Sequence, residues 1–521
     1  MPLRPEDLPR EPEALVALAL SQAAEIEALR TTLKILQAQI FPPKSERASA
    51  ILEDQLSLDL GDLACELSRV AANDEADVGS HGRAARKPAR RNLGQLPSWL
   101  PRVERVIEPQ VSACPCCAGA LHRIGEDVAE ALDVVPAIVR VVRTIRPKYA
   151  CRACEGGVIQ APARSRLLIG GVATTALMAS VAVWKYAWHM PLNRQAQMLA
   201  GQGIRLDRST LVRWIKRVAW WLKGLYERQL EVIHGHPRIF CDETRLPVRK
   251  TGCRRTHTGQ FWAHAIDDQA WGGPAPPAVA YVFAQGRSHK EIREQLASYQ
   301  GLLQVDGYGA YKALAKAGRK PGPITLAFCL AHARRKFTDV YKATGSAVAA
   351  EVVSRLSQVY AIEARICGTS AAHRLEMRQT LSAPLMADLK ALLESELAGL
   401  SSKSKLAGAI RYSLGHWMGL TRFLQDGRLE VDNNTVERNM RPIALGRKNH
   451  LFAGDDGGAH SWAILASLLN TAKLNGVDPY AWLSDVLEQM VSGQVKANDL
   501  DQLLVWNWKA ARASANLAAA A

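Results

Sequence analysis

Acidic side chains are scarce: 50 Asp and Glu stand against 66 Lys and Arg, for a formal net charge of +16 and a pI near 9.5. That balance makes a polyanion the expected partner. Nucleic acid fits better than a membrane surface, because the bases recur along the whole chain instead of lining one helix. Long apolar runs are scarce as well. One of the two longest charge-free stretches, Leu167 to Trp184, approaches a membrane span in length. It is rich in Ala, Gly and Thr and has no dense Leu/Ile/Phe block, so it reads as a buried helix starting near Thr174 or Thr175. No membrane partner is expected. The first residues, "MPLRPEDLPREPE", have no apolar secretion core, and a cytoplasmic location follows as an expectation. Cysteine is limited to 10 residues, two pairs of them in C-x-x-C form. Without a secretion signal, this points to reduced thiols and metal rather than disulfides.

What remains is ample for folding. Apolar residues make up 48% of the 521-residue chain, enough for roughly three or four domains. Within residues 1–43, Ala19, Ile26, Leu33 and Ile40 repeat in one heptad series, and Leu15, Gln22, Leu29 and Leu36 in a second. Such a narrow a/d seam wants a partner helix, so residues 13–40 are expected to self-associate. "FPP" at Phe41 stops the helix. Residues 44–100 read as a linker ending in a basic arm with Arg83, Arg86, Lys87, Arg90 and Arg91. In residues 101–165, "CPCC" and "CRAC" form two knuckles joined by the β-branched "AIVRVVRTIRPKYA". They read as a zinc ribbon holding one structural Zn2+ through Cys114, Cys117, Cys151 and Cys154, with Cys116 as a competing ligand. Residues 166–232 read as helical. There a helix from Pro191, a turn at Gly201 to Gly203 and a second helix capped near Asp207 or Ser209 resemble a helix-turn-helix, which would present Arg208 and Arg213 to DNA.

From His236 the period changes. "PRIFCDETRLPV", "GQFWAHAIDD", "AVAYVFAQG" and "GLLQVDGYGAY" read as strands, with a helix before the fourth. "PITLAFCLAHARRKF" reads as strand then helix. Three strands, a helix and a fourth strand suggest a ribonuclease-H-like α/β core over residues 233–455, with a helical insertion at about 340–425. Residues 456–521 read as helices and a frayed Ala-rich tail. Asp242 lies in the first strand and Asp306 ends the fourth, where Gly307 and Gly309 leave room for a ligand. Neighbouring strand residues face opposite ways, so Asp242 and Glu243 cannot both face one metal in a regular strand. Glu437 follows "VDNNTV" and leads into Arg438, Arg441, Arg447 and Lys448. Asn434 and Glu437 also have capping-box spacing, so Glu437 is either a helix cap or a ligand. Three carboxylates can hold two Mg2+ or Mn2+ ions about 4 Å apart for phosphoryl transfer.

These stretches resemble those of the insertion-sequence-66 family of DDE transposases. The likeness runs through "CPCC", "RPKYACRACEG", "PLNRQ", "LDRSTL", "DET", "QVDGYGAY", "AHARRKF", "SKSKLAGAIRYSL", "LEVDNN", "ALGRKNHLFAG" and "TAKLNG", in family order from about residue 110 to 508. The resemblance implies Asp242, Asp306 and Glu437 as a catalytic triad. It also implies a leucine-zipper-like N-terminal segment, a zinc-binding domain, and a bacterial, nucleoid-associated enzyme. Such an enzyme would cut its element's terminal inverted repeats and join the 3′-OH to target DNA, in some elements with accessory proteins. Arg334, Arg335 and Lys336 of "AHARRKF" are expected DNA contacts beside the bases after Glu437. A DNA-binding regulator without catalysis, or a nuclease without strand transfer, are the competing expectations.

Overall fold

The computed structural model describes residues 139–150 and 158–520, apart from 162, 164, 169 and 251–254. The heptad segment, the basic arm, and Cys114, Cys116, Cys117, Cys151 and Cys154 lie outside the described residues. Of the expected strand-like stretch before "CRAC", only β1 (Lys148–Ala150) is a strand, paired antiparallel with β2 (Val158–Gln160). Val141, Val142 and Ile145 are exposed. β-branched residues form a strand only where a neighbour and a buried face exist, and here only three residues have a partner strand.

The charge-free run folds as α1 (Thr175–Tyr186), where Thr174 caps the start by accepting from the Leu177 N–H at 3.2 Å. Met178, Val181 and Val183 are buried. No helix among the described residues is long and apolar enough to cross a membrane. α2 (Leu192–Gly201) and α3 (Arg208–His234) follow, joined through a turn in which Gly203 has φ +82°. α3 spans 27 residues, far more than reading a groove requires. Its Leu211, Trp214, Val218, Leu222 and Leu225 are core residues, so it is chiefly a structural spine.

The sheet grows from β3 (Arg238–Arg249), β4 (Thr256–Ile266) and β5 (Ala278–Ala284), an antiparallel meander. Helix α4 (His289–Gln295) carries the chain back to β6 (Leu302–Val305), which lies parallel to β3, and β7 (Thr325–Phe328) adds outside β6. The order is β5-β4-β3-β6-β7. Alternation assigns the faces. Phe240, Leu246 and Val248 join the core containing α3, while Ile239 and Cys241 join the one containing Ile292 and Tyr311.

After β7 the chain leaves the sheet as α5 (Leu330–Thr344), α6 (Ala347–Ile366), α7 (Ala371–Met377), α8 (Ala383–Gly399) and α9 (Lys405–Gly415), with a core of their own. It returns as α10 (Asn434–His450), α11 (Asp456–Leu474), α12 (Pro479–Ser492) and α13 (Val505–Ala520). The Ala-rich end, expected to fray, is helical, as alanine's high helix propensity allows. α11 also covers an exposed-edge hazard. β5 is an edge strand, and its outward Val279 and Tyr281 N–H groups donate to Thr471 Oγ1 and Ser467 Oγ at 3.1 and 2.7 Å. Gln229 of α3 donates to the Val279 carbonyl at 2.9 Å, completing the cover.

One pair of histidines, His264 on β4 and His234 at the end of α3, predicts acid sensitivity. His264 Nε2 donates to Gln295 Oε1 at 2.9 Å, which leaves Nδ1 as the acceptor facing His234 Nε2 at 3.4 Å. Burial lowers His264 to about 3 and His234 to about 4. Because the folded values lie below the unfolded one, the unfolded chain binds more protons under pH 6.5. Stability is therefore full above that pH and is lost as pH falls towards about 3, by a few kcal/mol in all. In denaturant melts across this window, His264→Gln is expected to flatten the decline. An unchanged slope would remove the pair as its cause.

Candidate active site

Side-chain alternation separates the two acids of β3. Glu243 points to the α4 face, where Tyr311 Oη donates to Oε2 at 2.7 Å and Arg287 Nε donates to Oε1 at 2.6 Å. Arg287 in turn lies 3.9 Å over the Tyr308 ring. Burial still raises the Glu243 carboxyl, opposed by Tyr311 and Arg287. Asp242 points to the opposite face, the one that α10 packs against. Its Oδ1 accepts only from the Glu243 N–H, at 2.9 Å. Burial, then repulsion from Glu243, Glu437 and Asp306, pushes its carboxyl well above the usual range.

Asp306 lies just past β6. The parallel ladder pairs Phe240 with Gln304, and extending that register by two residues sets Asp306 beside Asp242. Its Oδ1 accepts from the Tyr308 N–H at 2.7 Å, which fixes the turn. Gly307, at φ +97°, does not leave room for a ligand as its sequence context suggested. The Tyr412 hydroxyl fills that space, where a Cβ would meet it at 2.7 Å, and donates to the Asp306 carbonyl at 2.9 Å.

Glu437 is not a capping-box residue. Asn433 occupies the N-cap of α10 and makes no side-chain cap bond. The Asn434 N–H that a capping box would satisfy donates instead to Asp432 Oδ1 at 3.0 Å, and Asn434 Nδ2 donates to Asp432 Oδ2 at 2.9 Å. Asn433 Nδ2 donates to the Cys241 carbonyl at 3.1 Å, pinning the start of α10 to β3 beside Asp242. The loop before it is clamped to β6: Gln304 Nε2 donates to the Glu430 carbonyl at 2.9 Å, and its Oε1 accepts the Glu430 N–H at 3.2 Å. Freed from capping, Glu437 Oε1 is buried without a hydrogen-bond partner and lies 3.6 Å from His332 Nδ1. Burial, with Asp432 and Asp306 adding repulsion, raises Glu437 to about 7 against the pull of Arg335 and Arg438. Burial also lowers His332, so this contact is not an ion pair at neutral pH.

The structure therefore brings Asp242, Asp306 and Glu437, from three elements, into one cluster of mutually repelling carboxylates. Among the described residues, the only set of three ligand atoms all within 4.8 Å is a different one: Cys329, His332 and Glu437. The expected DNA-contacting bases separate into groups. Arg208, Arg213, Arg438, Arg441 and Lys448 are exposed. Arg447 donates to the Arg245 carbonyl. Arg334 donates to Ser357 Oγ at 3.3 Å, inside the helical insertion. Lys336 lies 4.4 Å over the Tyr412 ring, while Arg335 acts electrostatically on Glu437. Sequence reading missed Arg287, His289, Lys312 and Lys316, which with Tyr308 line a basic cavity of about 530 Å3 beside the Asp306 turn. The "GYGAY" and "GRSHK" motifs carried that signal. It is hidden until the chain reversal after β5 joins them.

Residues 170–461 match the family described as "Transposase IS66 family". Residues 112–155 match the "zinc-finger binding domain of transposase IS66", residues 467–506 the "IS66 C-terminal element", and residues 28–105 the "Transposase C of IS166 homeodomain". Three proteins of Sinorhizobium fredii (strain NBRC 101917 / NGR234), each named there as uncharacterized, are similar along nearly the whole chain. One, y4jD, is 55% identical over 98% of this chain and 99% of its own length. Another, y4qI, is 40% identical over 95% of this chain and 94% of its own length, and y4hP is 36% identical over 95% and 91%. With a family match over more than half of its length, reaching across the acid cluster, the chain belongs to the IS66 family of transposases.

Proposed function

We propose that this transposase cuts DNA at the terminal inverted repeats of its element and joins the freed 3′-OH to target DNA. Asp242, Asp306 and Glu437 would act as its acids on a ribonuclease-H-like core. The observation that carries this reading is which acids have side-chain partners. Glu243 is held by Arg287 and Tyr311, and Asp432 by Asn434. Asp242 and Glu437 are pushed up by burial and by their neighbours, with no basic side chain bonded to either. The strand order, a meander followed by two parallel strands, supports the core assignment.

The donor set fits Mg2+ or Mn2+: carboxylate oxygens alone, one of them buried and unpartnered. Two such ions held by the three acids would lower the pKa of the attacking water or sugar hydroxyl and stabilise the leaving oxygen. The protein's own contribution is placement. Asn433 and Gln304 fix the loop that aims Glu437, and Tyr412 fixes the Asp306 turn. Arg208, Arg213, Arg438, Arg441 and Lys448, with Arg335 and the basic cavity, would hold phosphates. A structural Zn2+ at Cys114, Cys117, Cys151 and Cys154, and pairing through residues 13–40, would complete an assembly that holds two ends.

The test is incubation with the element's end DNA, target DNA and Mg2+, scored for joined product. Cut but unjoined ends would reduce the assignment to a nuclease. A paired comparison sharpens the site. Asp242→Asn is expected to lower cleavage by on the order of a hundredfold. Glu243→Gln, which keeps a bond to Tyr311, is expected to cost roughly tenfold or less. Equal losses from the two substitutions would end the face-based assignment.

A further inference from the structure

We propose that Cys329, His332 and Glu437 form a transition-metal site, selective for Zn2+ over Mg2+, that takes Glu437 away from the other two acids. Their ligand atoms all lie within 4.8 Å of one another. His332 Nδ1 and Glu437 Oε1 are both buried, both without a hydrogen-bond partner, and 3.6 Å apart. That is too long for a hydrogen bond. It is close to the roughly 3.4 Å that separates nitrogen and oxygen ligands around tetrahedral zinc. Two orphaned polar atoms facing each other across such a gap suit a shared cation.

The remaining ligand lies at the junction of β7 and α5. Cys329 is 1% exposed, and its Sγ accepts the Asn433 N–H at 3.2 Å. A backbone donor aimed at Sγ stabilises a thiolate once a metal displaces its proton, and it orients the sulfur as an outer-shell group does. Cys329 and His332 sit three residues apart at the start of α5, which puts both on one side of α10's first turn. The His332 and Glu437 side chains keep 28% and 17% of their surface exposed, so the site is open to a fourth ligand or to solvent. Three protein ligands with one open position is a common zinc arrangement. Thiolate and imidazole favour zinc, whereas Mg2+ demands oxygen.

The consequence for activity rests on reading Glu437 as an acid of the catalytic set; the ion site does not. A carboxylate held by zinc beside Cys329 is unavailable to Asp242 and Asp306. Zinc would then inhibit Mg2+-dependent cleavage, and free zinc would set how often the element moves.

Full-length protein equilibrated with ZnCl2 and desalted is expected to retain about one more zinc per chain than Cys329→Ser or His332→Ala. Asp242→Asn should retain as much as wild type. Co2+-loaded wild type should show stronger thiolate-to-cobalt absorption than Cys329→Ser, above the contribution of the other cysteines. Circular dichroism identifies a variant that fails to fold, and the other variant then decides. Equal zinc in wild type and in a folded Cys329→Ser or His332→Ala protein overturns the site. In the cleavage assay, each variant measured against its own zinc-free rate, the half-inhibiting zinc concentration should rise about tenfold or more. A variant that has lost the ion yet is inhibited at the wild-type concentration overturns the sharing of Glu437 while leaving the ion site in place.

Discussion

Glu437→Gln is expected to abolish most end cleavage while leaving end binding near the wild-type level. The amide keeps the shape of the side chain and loses the charge that would hold a divalent cation. If that cation supplies several kcal/mol to the transition state, cleavage falls on the order of a hundredfold or more. Binding should survive, because phosphate contacts come from Arg and Lys. No helix cap is lost, since the Asn434 N–H donates to Asp432 and not to Glu437. Removing a buried carboxylate with a pKa near 7 should even leave the fold slightly firmer at alkaline pH, where the charged form is costly. Asp432→Asn is the control. It keeps an acceptor for Asn434 and is expected to cost far less cleavage. A folded, end-binding Glu437→Gln protein that still cuts at near wild-type rate would remove Glu437 from the chemistry.

The second large effect lies away from the acids. Glu363→Ala is expected to destabilise the protein by about 3–5 kcal/mol, since it strands buried guanidinium charge. Arg378 donates from Nε and Nη2 to both Glu363 oxygens at 2.8 and 2.6 Å, and Arg374 approaches the same carboxylate at 3.5 Å. Both arginines are almost wholly buried. They also grip the loop that leads to α10. Arg378 donates to the Phe423, Asp426 and Leu429 carbonyls, and Arg374 to Glu430 Oε1 at 2.9 Å. Gly427 lets that loop close on α7, where a Cβ would lie 1.7 Å from the Ala371 carbonyl oxygen. The helical insertion is thus a brace for the segment that aims Glu437. Denaturant midpoints should fall sharply for Glu363→Ala and recover in large part for Glu363→Leu combined with Arg378→Met. Cleavage should fall with Glu363→Ala even at temperatures where the protein stays folded. A small shift in midpoint, with normal cleavage, would refute the brace.

Much of this was legible in the sequence because it is local. The meander, the helix before β6, the strand-to-helix run after it and the capped start of α1 all follow from period and turn chemistry within short windows. Asp242 stood out as a charge inside an apolar strand, and Asp306 as one at a strand's end. The strand-like reading of residues 137–147 failed where the structure describes it, because β propensity needs a neighbour. Of the room inferred at Gly307 and Gly309, that at Gly309 is open, whereas Tyr412, far along the chain in the insertion, occupies the space at Gly307.

By itself, the sequence determined the kinds of element, their order and the acids available, since these depend on side chains a few residues apart. Only the tertiary structure decided which acids are free. Arg287 and Tyr311 reach Glu243 from beyond β5 and β6, and Asp432 relieves Glu437 of capping. Only the fold set Cys329 and His332 against Glu437. An acid's chemistry depends on the charge and burial around it, and those are contributed by segments that meet only when the sheet and its helical insertion close on each other.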